Sequence, residues 1–336
     1  MKFAVAEACL YSATRSRRAV LVLLLAFLVP VSWAAVAGDR VPAKVDLTKG
    51  RVLVIGDSIT QDGRYVTFVE YFLKRLSPAS ACDLISIGLS SETVSGLSEI
   101  GHPYPRPCVL ERLDRALTAT KPGLVVACYG MNDGIYHPSS SERLRAFGDG
   151  LRQLVDRVHA AGAALVIVTP PVFDSLPIRA RTVPATAPEF GYSKPFVDYD
   201  SVLAEFAAIE RAVSGAGVTV IDLHAAMVAA IATERKRDAA FTFAPDGVHP
   251  GDAGHLLMAR VVFNGLGYSL PAGSEFELAR IMSDPLFELI RERRQLRSEA
   301  WLPFVGYRRE ASFKSASVTA AEQVVARLQQ EIDALS

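Results

Sequence analysis

The sequence predicts a doubly wound α/β domain on a five-stranded parallel sheet, followed by a helical C-terminal extension. Three observations carry that prediction. Five short apolar runs are spread along the body of the chain, amphipathic stretches of helical spacing separate them, and small or polar residues gather just after the runs. Apolar strands alternating with helices imply parallel pairing with both sheet faces covered. In open sheets of this kind ligands bind outside the carboxyl ends of the strands. Function is therefore to be sought in the residues just beyond each strand.

The first run lies in "RVLVIGDSIT", Arg51 to Thr60, where Val52–Ile55 read as a buried strand. Gly56, Asp57 and Ser58 come next. They suit a tight turn with Asp or Ser capping the next helix, and they equally suit a serine presented for chemistry; the stretch alone does not decide. Val66, Val69, Phe72, Leu73 and Leu76 then recur at helical spacing. The second strand, Leu84–Ile87, runs into Gly88 within "ISIGLSSETVSGLSE", and Leu110, Leu113 and Leu117 mark a helix beyond it. The third, Leu124–Cys128, is followed by "YGMNDG", with Gly130, Asn132 and Asp133. Leu144, Phe147, Leu151, Leu154, Val155 and Val158 form the next amphipathic face, which Gly162 ends. Leu165–Val168 is the fourth strand and Val218–Ile221 the fifth. After the fifth strand and its helix comes "FAPDGVHPGDAGH", carrying Asp246 and His249. The domain spans about 46–267, and no internal repeat is visible.

Lys+Arg and Asp+Glu both number 36, half of the 336 residues are hydrophobic and 21% are charged. That balance fits a globular protein with a sizeable core and supplies no basic field for nucleic acid. The N-terminus differs. Lys2, Arg15, Arg17 and Arg18 precede an apolar run from Ala19 to Val31, and Ala35-Val36-Ala37 offers small residues at the right spacing. This order reads as a secretory signal peptide over residues 1–37, which places the body in the periplasm or outside the cell. The alternative is an uncleaved membrane anchor, and only then is a membrane a partner; the run is short for a full span. Cys82, Cys108 and Cys128 remain after cleavage. Cys82 and Cys108 are a candidate pair in an oxidising compartment, whereas Cys128 lies in an apolar strand. Neither C-x-x-C nor H-E-x-x-H occurs, so the sequence calls for no metal and no cofactor.

An ester hydrolase needs a nucleophile, a base, an orienter for that base and donors for an oxyanion. Ser58 is the candidate nucleophile and His249 the candidate base. Asp246, three residues earlier with Gly247 permitting a bend, can reach the other ring nitrogen. The candidate oxyanion donors are the backbone N–H groups of Ser58 and Gly88 and the side-chain amide of Asn132. Gly88 suits that role because no Cβ obstructs the approaching substrate.

These blocks resemble the SGNH hydrolases, also called GDSL esterases and lipases. "GDSIT" resembles the serine block, "IGLSSETVSGL" the glycine block, "GMND" the asparagine block and "DGVHP" the Asp-x-x-His block. The resemblance covers roughly 51–267 and departs only at Ile59, where the namesake motif has Leu. It implies a flavodoxin-like three-layer α/β/α fold and an exported microbial esterase. By resemblance Ser58, Asp246 and His249 are catalytic, with Gly88 and Asn132 as oxyanion donors. Two alternatives remain: an O-acyltransferase using the same site, and a non-catalytic carbohydrate-binding protein of the same fold.

Other histidines compete for the role of base. His224 also follows a strand, with Asp222 two residues before it, and is the weaker candidate. His255 falls in a helix beginning near Gly251, where capping or packing is expected; His102, His137 and His159 sit in loops or near a helix end. A metal site from Asp246, His249, Asp252 and His255 is the weaker reading of that cluster. Two irregular segments, 98–107 and 169–200, flank the expected site. The second carries Phe173, Phe190, Tyr192, Phe196 and Tyr199, expected to form an ordered wall. With no greasy lid helix in view, the substrate expected is a small-molecule or polysaccharide ester bearing a short acyl group. In the tail, 271–336, helices are expected over Leu278–Ile290 and Val318–Leu335, with "AWLPFVGYRRE" between them.

Overall fold

The computed structural model describes residues 44–336 except 49, 80–81, 214, 216, 273–275 and 307–316. The expected signal peptide, 1–37, lies outside the described residues. The five strands are β1 (Arg51–Gly56), β2 (Asp83–Ser86), β3 (Leu124–Cys128), β4 (Ala164–Val168) and β5 (Val218–Ile221). They pair in parallel in the order β2-β1-β3-β4-β5. This is the flavodoxin-like order, in which the chain reverses direction between β1 and β3 and opens a crevice there. Each strand lies within a residue or two of its expected place, because a strand covered on both faces must be apolar throughout. Leu53, Ile55, Val125 and Val168 are completely buried.

The helices are α1 (Ser58–Asp62), α2 (Arg64–Leu76), α3 (Leu113–Thr120), α4 (Ser141–Ala160), α5 (Tyr199–Ala212), α6 (Leu223–Glu234) and α7 (Asp252–Gly265). α2 packs on α7, while α4 packs on α3 and α5; right-handed crossovers, the rule for parallel sheets, place the two groups on opposite faces. The irregular segment after β4 is shorter than expected, since α5 already begins at Tyr199.

Three more helices follow: α8 (Leu278–Met282), α9 (Pro285–Phe304) and α10 (Val318–Leu335). Asp284 caps α9 by accepting the Leu286 N–H, and Pro285 occupies the first turn, where its missing N–H costs nothing. Ala300–Phe304, expected between helices, form the last turn of α9, with Pro303 inside it. α9 packs on α2 and β2, and α10 packs on α9. Leu286, Phe287, Ile290, Trp301 and Leu302 are buried, each contributing roughly 1.5–3 kcal/mol of gross transfer energy. Polar groups fix the seating. Arg297 donates to the Leu84 carbonyl at 2.9 Å and pairs with Asp83 at 2.7 Å, and buried Arg293 pairs with Glu70. The extension is thus continuous with the domain.

Cys82, Cys108 and Cys128 are all free, so the candidate pairing of Cys82 with Cys108 is not formed. Cys82 precedes β2, whereas Cys108 bridges to Thr93 beyond the other end of that strand. No helix among the described residues is long and apolar enough to cross a membrane.

Candidate active site

Ser58 is the first residue of α1, one turn of helix at the carboxyl end of β1. Asp57 caps that turn: its Oδ1 accepts the Ile59 N–H at 2.9 Å. The turn reading of Gly56-Asp57-Ser58 therefore holds, and the capped turn sets Ser58 at the carboxyl edge of the sheet. As a first-turn residue Ser58 has no intrahelical acceptor for its backbone N–H. Asp57 is buried, and burial pushes its carboxyl up to about 7 against the lowering effect of the Ile59 N–H.

His249 lies in the loop before α7, and its Nε2 stands 2.8 Å from Ser58 Oγ. Its Nδ1 stands 2.7 Å from Asp246 Oδ2. Asp246 Oδ1 meanwhile accepts the backbone N–H groups of Val248 at 2.9 Å and His249 at 2.7 Å. One carboxylate thus shapes the loop with one oxygen and holds the ring with the other. Gly247, at φ +85°, supplies the left-handed bend between them. Burial alone would raise the Asp246 carboxyl, but the His249 ring and these two N–H groups hold it well below the usual carboxylate range. The same hydrogen bond raises the His249 imidazole above its ordinary value, with burial opposing. Because the ionised carboxylate only accepts, Nδ1 carries the hydrogen and Nε2 is left to accept from Ser58.

Asn132 follows β3 and lines, with Ser58 and His249, a cavity of about 330 Å³. Its Oδ1 accepts from Arg106 Nη1 at 3.0 Å and from the Tyr136 hydroxyl at 3.3 Å. Its Nδ2 donates to the Glu92 carbonyl at 3.3 Å, which leaves one amide hydrogen unassigned among the described residues. Arg106 is in turn gripped by Glu99 at 2.6 and 2.7 Å. Sequence reasoning missed Arg106, Glu99 and Tyr136; the only signal was that the first two fall in the long segment 98–107. Asp133 is a brace: its carboxylate accepts from Val94, Ser95 and Gly130 N–H groups at 2.7–3.0 Å, tying the β2 and β3 loops together. The Tyr199 hydroxyl brackets the same turn, donating to the Met131 carbonyl and accepting the Gly134 N–H.

Gly88 is glycine for a different reason from the one expected. A Cβ there would meet the α1 backbone at Thr60 and Gln61, so the missing side chain lets the β2 loop press on the helix bearing Ser58. It does not open a path for substrate. No hydrogen bond from the Gly88 N–H occurs among the described residues.

The weaker candidates are engaged elsewhere. His224 is buried and its Nε2 contacts Asp200 Oδ1 at 3.2 Å. His255 Nδ1 accepts the Tyr65 N–H at 3.3 Å, and burial pulls its imidazole down to about 4. Asp252 pairs with Arg64. Of the five loop aromatics only Tyr192 reaches the small cavity; Phe173 and Tyr199 pack on Tyr136 from behind. On the other side of Ser58 and His249 lies a larger cavity of about 650 Å³, walled by α1 and by α9 of the extension.

A doubly wound sheet that brings hydroxyl, imidazole and carboxylate into one hydrogen-bonded series at its carboxyl edge defines an enzyme of the ester-hydrolase class. The chain belongs to the GDSL-like Lipase/Acylhydrolase family, whose profile matches residues 54–257, and is a carboxylic ester hydrolase of that type. No curated protein sequence matches it significantly. Among solved structures it is similar to BT4096, described as a gut microbial diltiazem-metabolizing enzyme, at 17% identity and TM-score 0.49. That match covers 68% of this chain and 49% of the other, so the chain spans about half that protein's length. A catalytic mutant of Axe2, an acetylxylan esterase from Geobacillus stearothermophilus, is 22% identical, with 68% and 98% of the two chains covered and TM-score 0.49. The acetyl xylan esterase AlAXEase is 17% identical, with 63% and 97% covered and TM-score 0.44. Identities this low do not carry a substrate from one protein to another.

Proposed function

We propose that the chain is an exported serine esterase that cleaves short acyl groups from a carbohydrate or other polar substrate through an acyl-enzyme on Ser58. The observation that carries the reading is the unbroken series Ser58 Oγ–His249 Nε2–His249 Nδ1–Asp246 Oδ2, at 2.8 and 2.7 Å. Neutral His249 takes the Ser58 proton as Oγ bonds to the ester carbonyl carbon. The tetrahedral oxyanion is met by the Ser58 and Gly88 N–H groups and by the free hydrogen of Asn132 Nδ2. Collapse breaks the bond to the alkoxy oxygen, and His249 gives it the proton, releasing the alcohol. Water then repeats the sequence on the acyl-enzyme and frees the acid and Ser58. Asp246 stabilises the imidazolium in both halves.

The small cavity that holds Asn132 suits a short acyl group, and the polar walls of the larger one suit a hydroxyl-rich alcohol portion. Export rests on the order of charge, apolar run and small residues across 1–37. The test is turnover of p-nitrophenyl acetate with mass spectrometry of the quenched enzyme. An acetyl adduct on the Ser58 peptide and loss of turnover in Ser58→Ala support the reading; full turnover in Ser58→Ala refutes it. A mature protein that keeps residues 1–37 refutes cleavage.

A further inference from the structure

The larger cavity beside Ser58 contains a cation that the esterase reading does not use. Arg294, on α9, is 6% exposed. Its Nε donates to Thr67 Oγ1 at 3.0 Å and its Nη2 to the Asp62 backbone carbonyl at 2.6 Å. Nη1 has no hydrogen-bond partner among the described residues, yet it is not sealed from solvent, and Arg294 lines the cavity with Ser58 and His249. No carboxylate pairs with Arg294 among the described residues. Of the other charges of the wall, Asp62 binds Arg64, which also pairs with Asp252, and Arg291 pairs with Glu288; exposed Glu299 accepts only from the neutral Gln295 amide.

The place is built for this guanidinium. Gly63 joins α1 to α2 at φ +68°, and a Cβ there would collide with Arg294 Nη1 and Cζ. The linker glycine both makes the left-handed turn and leaves the room. Burying a guanidinium without a carboxylate in contact is costly, and burial lowers its pKa although the nearby Asp62 and Glu70 charges, each paired with another arginine, oppose that. An anion arriving with the substrate would relieve that cost, and a guanidinium suits a carboxylate geometrically as well as by charge.

We propose that Arg294 forms an anion subsite beside Ser58, selecting esters whose alcohol portion carries a carboxylate. The proposal rests on ester cleavage at Ser58, and its test separates the two. The probes are 4-acetoxybenzoate and its neutral analogue methyl 4-acetoxybenzoate, which differ in one charge. In the wild-type chain kcat/KM for the anion should exceed that for the methyl ester, and the ratio should fall as salt rises. In Arg294→Gln the ratio should fall at least tenfold. Equal ratios in wild type and Arg294→Gln, with the methyl ester still cleaved, overturn the subsite and leave the esterase intact. Loss of both substrates in Ser58→Ala but an unchanged ratio across salt in wild type has the same meaning. If neither substrate is cleaved by wild type while p-nitrophenyl acetate is, the subsite is refuted. If Arg294→Gln fails to fold, benzoate against benzamide as inhibitors of the wild-type enzyme decides: benzoate should inhibit methyl ester cleavage at least tenfold better, and parity overturns the proposal.

Discussion

Replacing Arg106 by Met together with Glu99 by Leu should lower kcat on p-nitrophenyl acetate by roughly 10- to 150-fold while leaving the fold nearly as stable. The magnitude comes from what holds Asn132. Its Oδ1 has two donors: the Arg106 guanidinium at 3.0 Å and the Tyr136 hydroxyl at 3.3 Å. The first is charge-assisted, and such bonds contribute about 1.5–3 kcal/mol net. Without it the amide keeps only the longer neutral bond and loses the orientation that aims its free hydrogen at an oxyanion. The loss cannot exceed that of Asn132→Ala, expected at roughly 10²- to 10³-fold for an oxyanion donor. Stability separates this effect from unfolding. The side chains of Arg106 and Glu99 are 1% and 2% exposed. Removing Arg106 alone strands a buried carboxylate at about 3–5 kcal/mol, whereas replacing both partners is close to neutral.

The assay is a cycle: kcat and thermal midpoint for the double replacement, made in the wild-type chain and again with Asn132→Ala. Acting through Asn132, the pair should cost little once that amide is gone. An equal loss of kcat in both backgrounds, or no loss in the wild-type background, refutes the reasoning.

Three further outcomes are expected from the same geometry. The acid limb of kcat/KM should lie above the ordinary histidine value, because Asp246 raises His249 and only the neutral ring can take the Ser58 proton; activity rises as pH climbs through that limb. Asp246→Asn should lower the rate and move the limb down, whereas Asp57→Asn, which keeps a helix cap and removes a lesser charge effect on His249, should move it less; a larger shift in Asp57→Asn than in Asp246→Asn would assign the limb to the carboxyl near 7 instead. Gly88→Ala should cost about 1–3 kcal/mol of stability by overpacking, and should lower kcat by displacing α1 and Ser58; an unchanged thermal midpoint would contradict the packing at Thr60 and Gln61. His224→Ala should retain most activity while losing about 1–3 kcal/mol of stability as Asp200 loses a partner, and an activity loss equal to that of His249→Ala would reverse the choice of base.

The strands and the four blocks were legible because each answers to a local demand. A doubly covered strand must be apolar, and the turn at its carboxyl end needs small or capping residues, so "VLVIGDS" announces both at once. Spacing also betrayed Asp246 and His249, since three residues with a glycine between bring carboxylate and ring together without any distant element. The supports behind them left no such trace. Glu99 and Arg106 sit in a proline-rich stretch whose charges look like a solvated loop, and only the closed fold turns them into a buried pair. Gly88 was noticed, but the partner that forbids a side chain there, the backbone of α1, lies 28 residues earlier in the sequence. The close packing of α1 on Gly88 therefore could not be read from the glycine's own block.

The extension is the plainest case of this limit. The periodicity of Leu286, Leu289 and Ile290 announces a helix, but a helix with arginines on several faces gives no hint of which one will be sealed in. That is decided by Glu70, which takes Arg293, and by Asp83 and Glu322, which take Arg297. With its neighbours paired on either side, the helix is fixed in rotation, and Arg294 is carried between α1 and α2, near Asp62 and Glu70 but paired with neither among the described residues. Ser58, Asp246 and His249 lie within the span 54–257 that the family profile matches, whereas one wall of the larger cavity comes from outside it. Substrate preference can then change with α9 while Ser58, His249 and Asp246 stay fixed, because the two cavities share only Ser58, Ser90 and His249.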